Sequence, residues 1–489
     1  MVKENVGAGI LNIVTESLYD KPIVVFREYV QNAVDSFQKT IGTIDKDKLF
    51  CDIRYLDNNL YFLDNGNGIE QDLFLNEMRH IAYSHKKRMV NIGYKGIGRL
   101  SGISYCKRLY FINIVSYEER EYQAYIINCE KYNEIKKDDN YNELGFNELM
   151  DRIGVFQNIG ECTLKERVSN ILYEHSSMFV EQDKGFLVLL ESISSVLQQT
   201  ITDSGIIKEL GWLLPVDFKK SLYEMERREK GLFEDLTTPD DNNVVPAVGF
   251  NVIYNGTPIV RPIEESMLRD YTCKCDLKYA VGFHSFRKDR ISVEKANDFS
   301  GIRMYIDNML LCDETELIPV LQKYGFIEHT TNELLQTVRG VGAMIYITDK
   351  VSISANARRT FIEVTDNDSL DFLERIAEFV ERIYKARYAL SKYSSGKKNY
   401  ETNVNKLNEL KESANSALVS LAEEEITVDT EYTEVKTEFE ELSDNEKKQI
   451  IKKKITKEIN EYIKAYLAQV TTFDFDNAFE DFKVWIKSN

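Results

Sequence analysis

Three short groups of residues near the N-terminus could do chemistry together. Glu28, Asn32 and Asp35 stand at i, i+4 and i+7 in the run Phe26-Arg-Glu-Tyr-Val-Gln-Asn-Ala-Val-Asp-Ser-Phe37, so on a helix they share one face and present carboxylate, amide and carboxylate. Asp64-Asn-Gly-Asn-Gly-Ile69 sets an acceptor just ahead of Gly66 and Gly68, which let the backbone come close to a ligand. Asn91-Ile-Gly-Tyr-Lys-Gly-Ile-Gly-Arg-Leu-Ser101 spaces Gly93, Gly96 and Gly98 as G-x-x-G-x-G, a loop that can turn backbone N–H groups toward phosphates. Each group alone is weak, because the first is ordinary on a solvated helix face and the second is an ordinary tight turn. Their succession in this order is the signal.

Each group needs an element to hold it. Phe26, Val30, Ala33, Val34 and Phe37 recur at helical spacing on a second face of the first run, with Pro22 suited to its first turn and Gly42 to its end. A shorter helix, from about Val6 to Leu18, precedes it. Leu49-Phe-Cys-Asp-Ile-Arg-Tyr55 and Leu60-Tyr-Phe-Leu63 flank Asp57-Asn-Asn59 and predict a β-hairpin whose second strand delivers Asp64. A helical stretch from about Gln71 to Tyr83 then leads to the glycine loop.

In order and spacing the three groups resemble the GHKL ATPases, whose members include DNA gyrase, the ninety-kilodalton heat-shock chaperones, histidine kinases, and the MutL and MORC proteins. Ile10 to Phe37 and Ile92-Gly-Tyr-Lys-Gly-Ile-Gly98 look most like the chaperone branch. The resemblance implies a Bergerat-type ATP-binding α/β sandwich that uses ATP and Mg²⁺. It makes Glu28 the general base for an attacking water, Asn32 a holder of Mg²⁺, and Asp35 a further nucleotide-site residue. Asp64 would receive the adenine amino group, which selects ATP over GTP, with Gly66 and Gly68 giving the base and sugar room. Gly93, Gly96 and Gly98 would form a lid over the phosphates, with Lys95 or Lys86 supplying charge. One departure stands out. The family closes this domain with Gly-Thr opening a strand, and the best match here, Lys184-Gly-Phe-Leu-Val-Leu-Leu190, has Phe186 in place of threonine, Gly160 to Thr163 being a poorer candidate.

Further along, Trp212–Phe218, Phe250–Gly256, Gly301–Asp307 and Ala343–Thr348 are strand-like runs that predict a second α/β domain of the transducer kind. Asn356-Ala-Arg-Arg-Thr-Phe361 resembles the arginine-bearing loop of the chaperone middle domain, so Arg358 or Arg359 would reach the γ-phosphate. The chain reads as helical from about Asp371, with a break at Ser394-Ser-Gly-Lys-Lys and a strongly acidic stretch over Thr427 to Glu446. Ile451, Ile455, Ile459, Ile463 and Leu467 then form an apolar helical stripe. The expected architecture is α+β: an ATP-binding domain over 1–205, a middle domain over 206–392, and a helical region over 393–489 suited to dimerisation.

Composition narrows the function. With 489 residues and 43% hydrophobic content, the chain has room for two or three cored domains. Its 80 acidic and 62 basic residues give a formal charge of −18, which opposes binding nucleic acid or anionic lipid through the whole surface. The seven cysteines form neither a disulfide ladder nor paired zinc spacing. No leader or membrane span is expected, which favours the cytoplasm. The leading expectation is an Mg-dependent ATPase working as a conformational machine of the ninety-kilodalton chaperone type, a homodimer acting on a protein client or partner subunit. The alternative is a DNA-transaction ATPase of the MutL, MORC or topoisomerase kind, a role in bacterial defence among them, with DNA disfavoured by the charge.

Overall fold

In the computed structural model, the residues described are 7–13, 21–37, 45–80, 97–138, 140–176, 179, 182–218, 250–263, 271–286, 300–329, 341–356 and 360–384, with 443, 446, 449 and 453. The chain divides into a unit Met1–Glu381, which holds both sheets, and a unit Arg382–Asn489. The hairpin expected around residue 57 is present. Strands β1 (Phe50–Leu56) and β2 (Asn59–Asp64) pair antiparallel, turned by Asp57 and Asn58 at φ 49° and 61°. Both adopt the left-handed conformation that a two-residue hairpin turn demands and that Asp and Asn tolerate.

Around this hairpin an eight-stranded sheet grows. To it belong β3 (Cys106–Ser116), β4 (Glu121–Asn128), β5 (Gly154–Gln157), β6 (Gly185–Ile193), β7 (Asn251–Tyr254) and β8 (Thr257–Pro258), in the order β5-β4-β3-β6-β2-β1-β7-β8. Every pairing is antiparallel except that of β7 with β1. The run around Phe250, read from sequence as part of the second domain, thus extends the first sheet. There Val252 and Tyr254 bury against the same helical layer as Cys51 and Ile53.

Strands β2, β6 and β3 are apolar on both faces because each face is covered. On one face lie the short helix α1 (Gly9–Asn12), the long α2 (Val24–Phe37), α3 (Gln71–Arg79), α4 (Cys129–Ile135), α5 (Phe146–Ile153) and a 3₁₀ helix over Gly98–Tyr105. The apolar spacing seen in the sequence seats α2: Phe26 and Tyr29 meet Phe62 edge-on at ring separations of 5.5 and 5.1 Å. On the other face, Val168 and Leu172 of α6 (Lys165–Tyr173), with Phe179, cover Tyr61, Leu63 and Tyr110. Helices α7 (Ser195–Thr202) and α8 (Ile206–Leu213) follow. The expected strand at Trp212–Phe218 is absent, because Ile206, Leu210 and Leu213 carry a helical period up to its start and 214–218 runs on without regular structure.

A second, five-stranded sheet holds β9 (Tyr271–Asp276), β10 (Ala280–Phe286), β11 (Gly301–Ile306), β12 (Met309–Asp313) and β13 (Val341–Ile347), in the order β12-β11-β13-β10-β9. A capping box of Asp313 and Glu316 starts helix α9 (Glu314–Lys323) beside it. The buried Arg261 bolts this sheet to α8. Its guanidinium donates to the carbonyls of Gly211 (2.9 Å), Trp212 (2.6 Å) and Asn308, and lies over the Tyr305 ring at 4.4 Å. The carbonyls at a helix end need such a donor, and the partial negative charge there suits a cation.

Charge is also buried on the α6 side of the first sheet. Asp52 on β1 takes a bond from Arg54 Nε at 2.8 Å, Arg54 Nη1 meets Glu174 at 2.5 Å, and His175 Nε2 lies 3.3 Å from Asp52 Oδ2. Contact at that distance would favour an ion pair, but burial dominates both partners. It pushes Asp52 up, and with the Arg54 cation it pushes His175 down to about 4. The imidazole is therefore neutral. Because the unfolded His175 takes its proton near 6.5 and the folded one near 4, its contribution is full above the first value and is lost as pH falls toward the second. Urea unfolding of wild type and His175→Gln should accordingly show a stability difference that shrinks over that window. A constant difference would mean that His175 does not titrate between the two states.

Candidate nucleotide site

The polar face of α2 is not solvated. Arg27, Glu28, Gln31 and Asp35 are buried, and Asn32 is half-buried, so this face is covered by other parts of the chain. Desolvating a carboxylate is costly unless it is partnered, and Arg27 supplies part of that: its Nη2 and Nε lie 3.2 and 3.3 Å from Glu28 Oε1. Against the other carboxylate oxygen comes the 3₁₀ helix. A Cβ on Gly98 would sit 2.1 Å from Glu28 Oε2, so the third glycine of the G-x-x-G-x-G motif is the residue whose missing side chain lets that helix touch Glu28.

Two turns along the same helix, a second glycine makes a similar approach. A Cβ on Gly66 would lie 2.2 Å from Ser36 Oγ and 2.9 Å from Asp64 Oδ1. Asp64 is buried at the end of β2 and takes the Gly66 N–H at 2.9 Å, so its loop fixes the carboxylate. Asn65 anchors the same turn to the start of β1, accepting from the Phe50 N–H (3.0 Å) and donating to the Lys48 carbonyl (2.9 Å). Gly68 takes φ +59°, and a Cβ there would meet Asn113 Oδ1 at 2.6 Å.

The sheet register completes the arrangement. Asp64 of β2 pairs with Phe186 of β6, Phe186 with Asn113 of β3, and Asn113 with Gln123 of β4. Directly opposed residues point to one face, so Asp64, Phe186, Asn113 and Gln123 form a single row on the face that carries α2. The strand expected from Lys184 onward is therefore the neighbour of Asp64, and the ring of Phe186 stands where the resemblance expects a hydroxyl, edge-on to Phe74 of α3 at 6.2 Å. Thr163 stands off the strands, bonded to Gln157. Asn113 clasps Ile69 through both its N–H (2.9 Å) and its carbonyl (2.7 Å), and its amide also donates to Gln123 (3.2 Å). Gln182 donates to the Gly66 carbonyl at 3.1 Å.

Sequence reasoning missed Ser36, Asn65, Asn113, Gln123 and Gln182. Asn113 had a signal: it is the lone amide among apolar residues in Leu109-Tyr-Phe-Ile-Asn-Ile-Val115, at a position whose parity matches the buried Phe111. Of the expected site residues, Glu28, Asn32 and Asp35 come together on α2, Asp64, Gly66 and Gly68 on the adjoining turn, and Gly98 on the 3₁₀ helix. Gly93, Lys95, Gly96, Arg358 and Arg359 lie outside the described residues, as does Lys86. Among the described residues no cluster of three or more His, Cys, Asp or Glu side chains could hold a metal alone, and no helix is long and apolar enough to cross a membrane.

Residues 21–158 match a family model described as histidine kinase-, DNA gyrase B-, and HSP90-like ATPase, and this part of the chain has the GHKL-type ATPase fold. No curated protein matches the sequence. Two solved structures of the ATPase region of Saccharomyces cerevisiae topoisomerase II, one of them bound to ICRF-187 (dexrazoxane), align at 11% identity with TM-scores of 0.36 and 0.37. They cover 72% and 74% of this chain and 82% and 85% of theirs.

Gly98→Ala tests the contact with Glu28. The clash falls on the movable end of a side chain, so the fold should survive with Tm lowered by only a few degrees, about 1 kcal/mol. The carboxylate must move, and whatever ATP turnover the wild type has should fall at least about tenfold. Wild-type turnover in a folded variant would show that the contact is incidental.

Proposed function

We propose that this protein binds ATP with Mg²⁺ and hydrolyses it, using the conformational change to act on a protein partner. The observation that carries the reading is the pair of glycine approaches to one helix. Gly98 meets α2 at Glu28 and Gly66 meets it at Ser36 beside Asp64. Eight residues of helix separate these points by about 12 Å, comparable to the separation of a nucleotide's base from its terminal phosphate. A buried carboxylate stands at either end.

The base end holds adenine. Asp64 accepts from the exocyclic amino group, where guanine would oppose a carbonyl, and Phe186 offers an apolar edge in place of a hydroxyl. At the phosphate end Glu28 takes a proton from water while the water oxygen bonds to the γ-phosphorus and the bond to the ADP oxygen breaks. Arg27 keeps the Glu28 carboxylate in one orientation. Asn32, half-buried one turn from Glu28, suits Mg²⁺, which binds through few protein ligands alongside substrate phosphates. When bound, Mg²⁺ neutralises charge on the phosphates. Asp35, next to Ser36 on α2, belongs to the base end of the site, and we assign the γ-phosphate contact to an arginine at 358 or 359. The charge of −18 favours a protein partner over DNA, and the apolar repeat at Ile451, Ile455, Ile459, Ile463 and Leu467, spaced as on a helix, supports a homodimer.

Glu28→Gln is the decisive variant. It should bind ATP within about threefold of wild type yet lose turnover by about a hundredfold or more, because a base acts on water and holds little of the nucleotide. Asn32→Ala should weaken both binding and turnover. Full turnover in Glu28→Gln would overturn the assignment of the base.

A further inference from the structure

Tyr29 follows Glu28 on α2, and its side chain has a task that packing does not explain. Its ring lies edge-on to Phe62, but its hydroxyl reaches the 3₁₀ helix. There it donates to the Arg99 carbonyl at 3.0 Å and accepts from the Gly102 N–H at 3.0 Å. These are the acceptor and donor that an i→i+3 turn would pair with each other, so one side-chain hydroxyl bridges a whole turn of the helix. The contact requires a glycine, since a Cβ on Gly102 would lie 2.4 Å from the Tyr29 oxygen. Burial and the nearby Cys106 thiol raise the phenol well above its ordinary pKa, so it keeps the proton it donates.

The 3₁₀ helix held this way begins at Gly98, next to Arg99 and the residue that touches Glu28. We propose that Tyr29 is a positioning residue for hydrolysis: by bridging Arg99 and Gly102 it fixes where Gly98 stands against Glu28, and so where the carboxylate points. Glu28 is then set from both sides, by Arg27 within its own helix and by Gly98 through Tyr29. This rests on the proposed role of Glu28, and it goes further by making the neighbouring tyrosine responsible for the alignment of the base.

Tyr29→Phe removes the hydroxyl and keeps the ring. Tyr254→Phe is the control, because it deletes another buried phenol-to-carbonyl bond, that from Tyr254 of β7 to Ile201 of α7 at 2.8 Å, far from Gly98 in the chain. In Tyr29→Phe, kcat should fall about tenfold with KM for ATP changed by less than about twofold, while Tyr254→Phe keeps wild-type kcat at a similar loss of Tm. Equal kcat in the two variants would overturn the proposal. A second readout does not depend on turnover: in protein carrying ¹³C-labelled glutamate carboxyls, the Glu28 resonance, assigned by its loss in Glu28→Gln, should shift in Tyr29→Phe and stay in place in Tyr254→Phe. If wild type proves unable to hydrolyse ATP, the functional reading fails and this resonance alone decides on Tyr29; an unmoved signal would refute it.

Discussion

The structure of the first sheet depends on the seat of α2 across β2. Phe26 and Tyr29 lock edge-on against Phe62, and Phe26 reaches on to Tyr254 of β7 at 6.1 Å. Rings as deeply buried as these are worth roughly 3–5 kcal/mol each when cut to alanine. With the apolar face fixed in this way, the direction of the polar face follows. Glu28 meets the 3₁₀ helix at Gly98, and Ser36 meets the turn after β2 at Gly66.

That geometry forces charge out of water, and the surrounding residues offset the cost. Arg27 partners Glu28, the Gly66 amide partners Asp64, and the amides of Asn65 and Asn113 hold the turn that carries Asp64 and the two glycines. Such a polar arrangement is expensive to leave half-satisfied and rigid when complete. The glycines serve it by absence. At 66 and 98 a methyl group would occupy the space that an oxygen of α2 or the turn already fills.

Much of this was legible in the sequence, for reasons that differ from element to element. The α2 helix and the β1–β2 hairpin announce themselves because their apolar periods and the Asp-Asn turn are local. The motif order pointed to the GHKL-type fold, and a strand opening at Lys184 was legible despite Phe186, whereas its place beside Asp64 came only from the sheet register. Non-local facts were out of reach. That β7 pairs with β1 across roughly two hundred residues, that Asn113 reaches Ile69, and that Tyr29 spans to Gly102 are products of register and packing, which no window of sequence holds. The strand expected at 212–218 fails for a related reason: its apolar run shares Trp212 and Leu213 with a helix whose period starts upstream.

If the proposed function holds, the row beginning at Asp64 receives the adenine base. Calorimetric titration with ATP and with GTP, in the presence of Mg²⁺, on wild type and on Asp64→Asn tests it directly. Wild type should bind ATP at least about tenfold more tightly than GTP, and Asp64→Asn should lose most of that preference, since a carboxylate acceptor becomes an amide that can donate as well as accept. Equal affinity of wild type for the two nucleotides, or an undiminished preference in the variant, would contradict the assignment of Asp64 to the base.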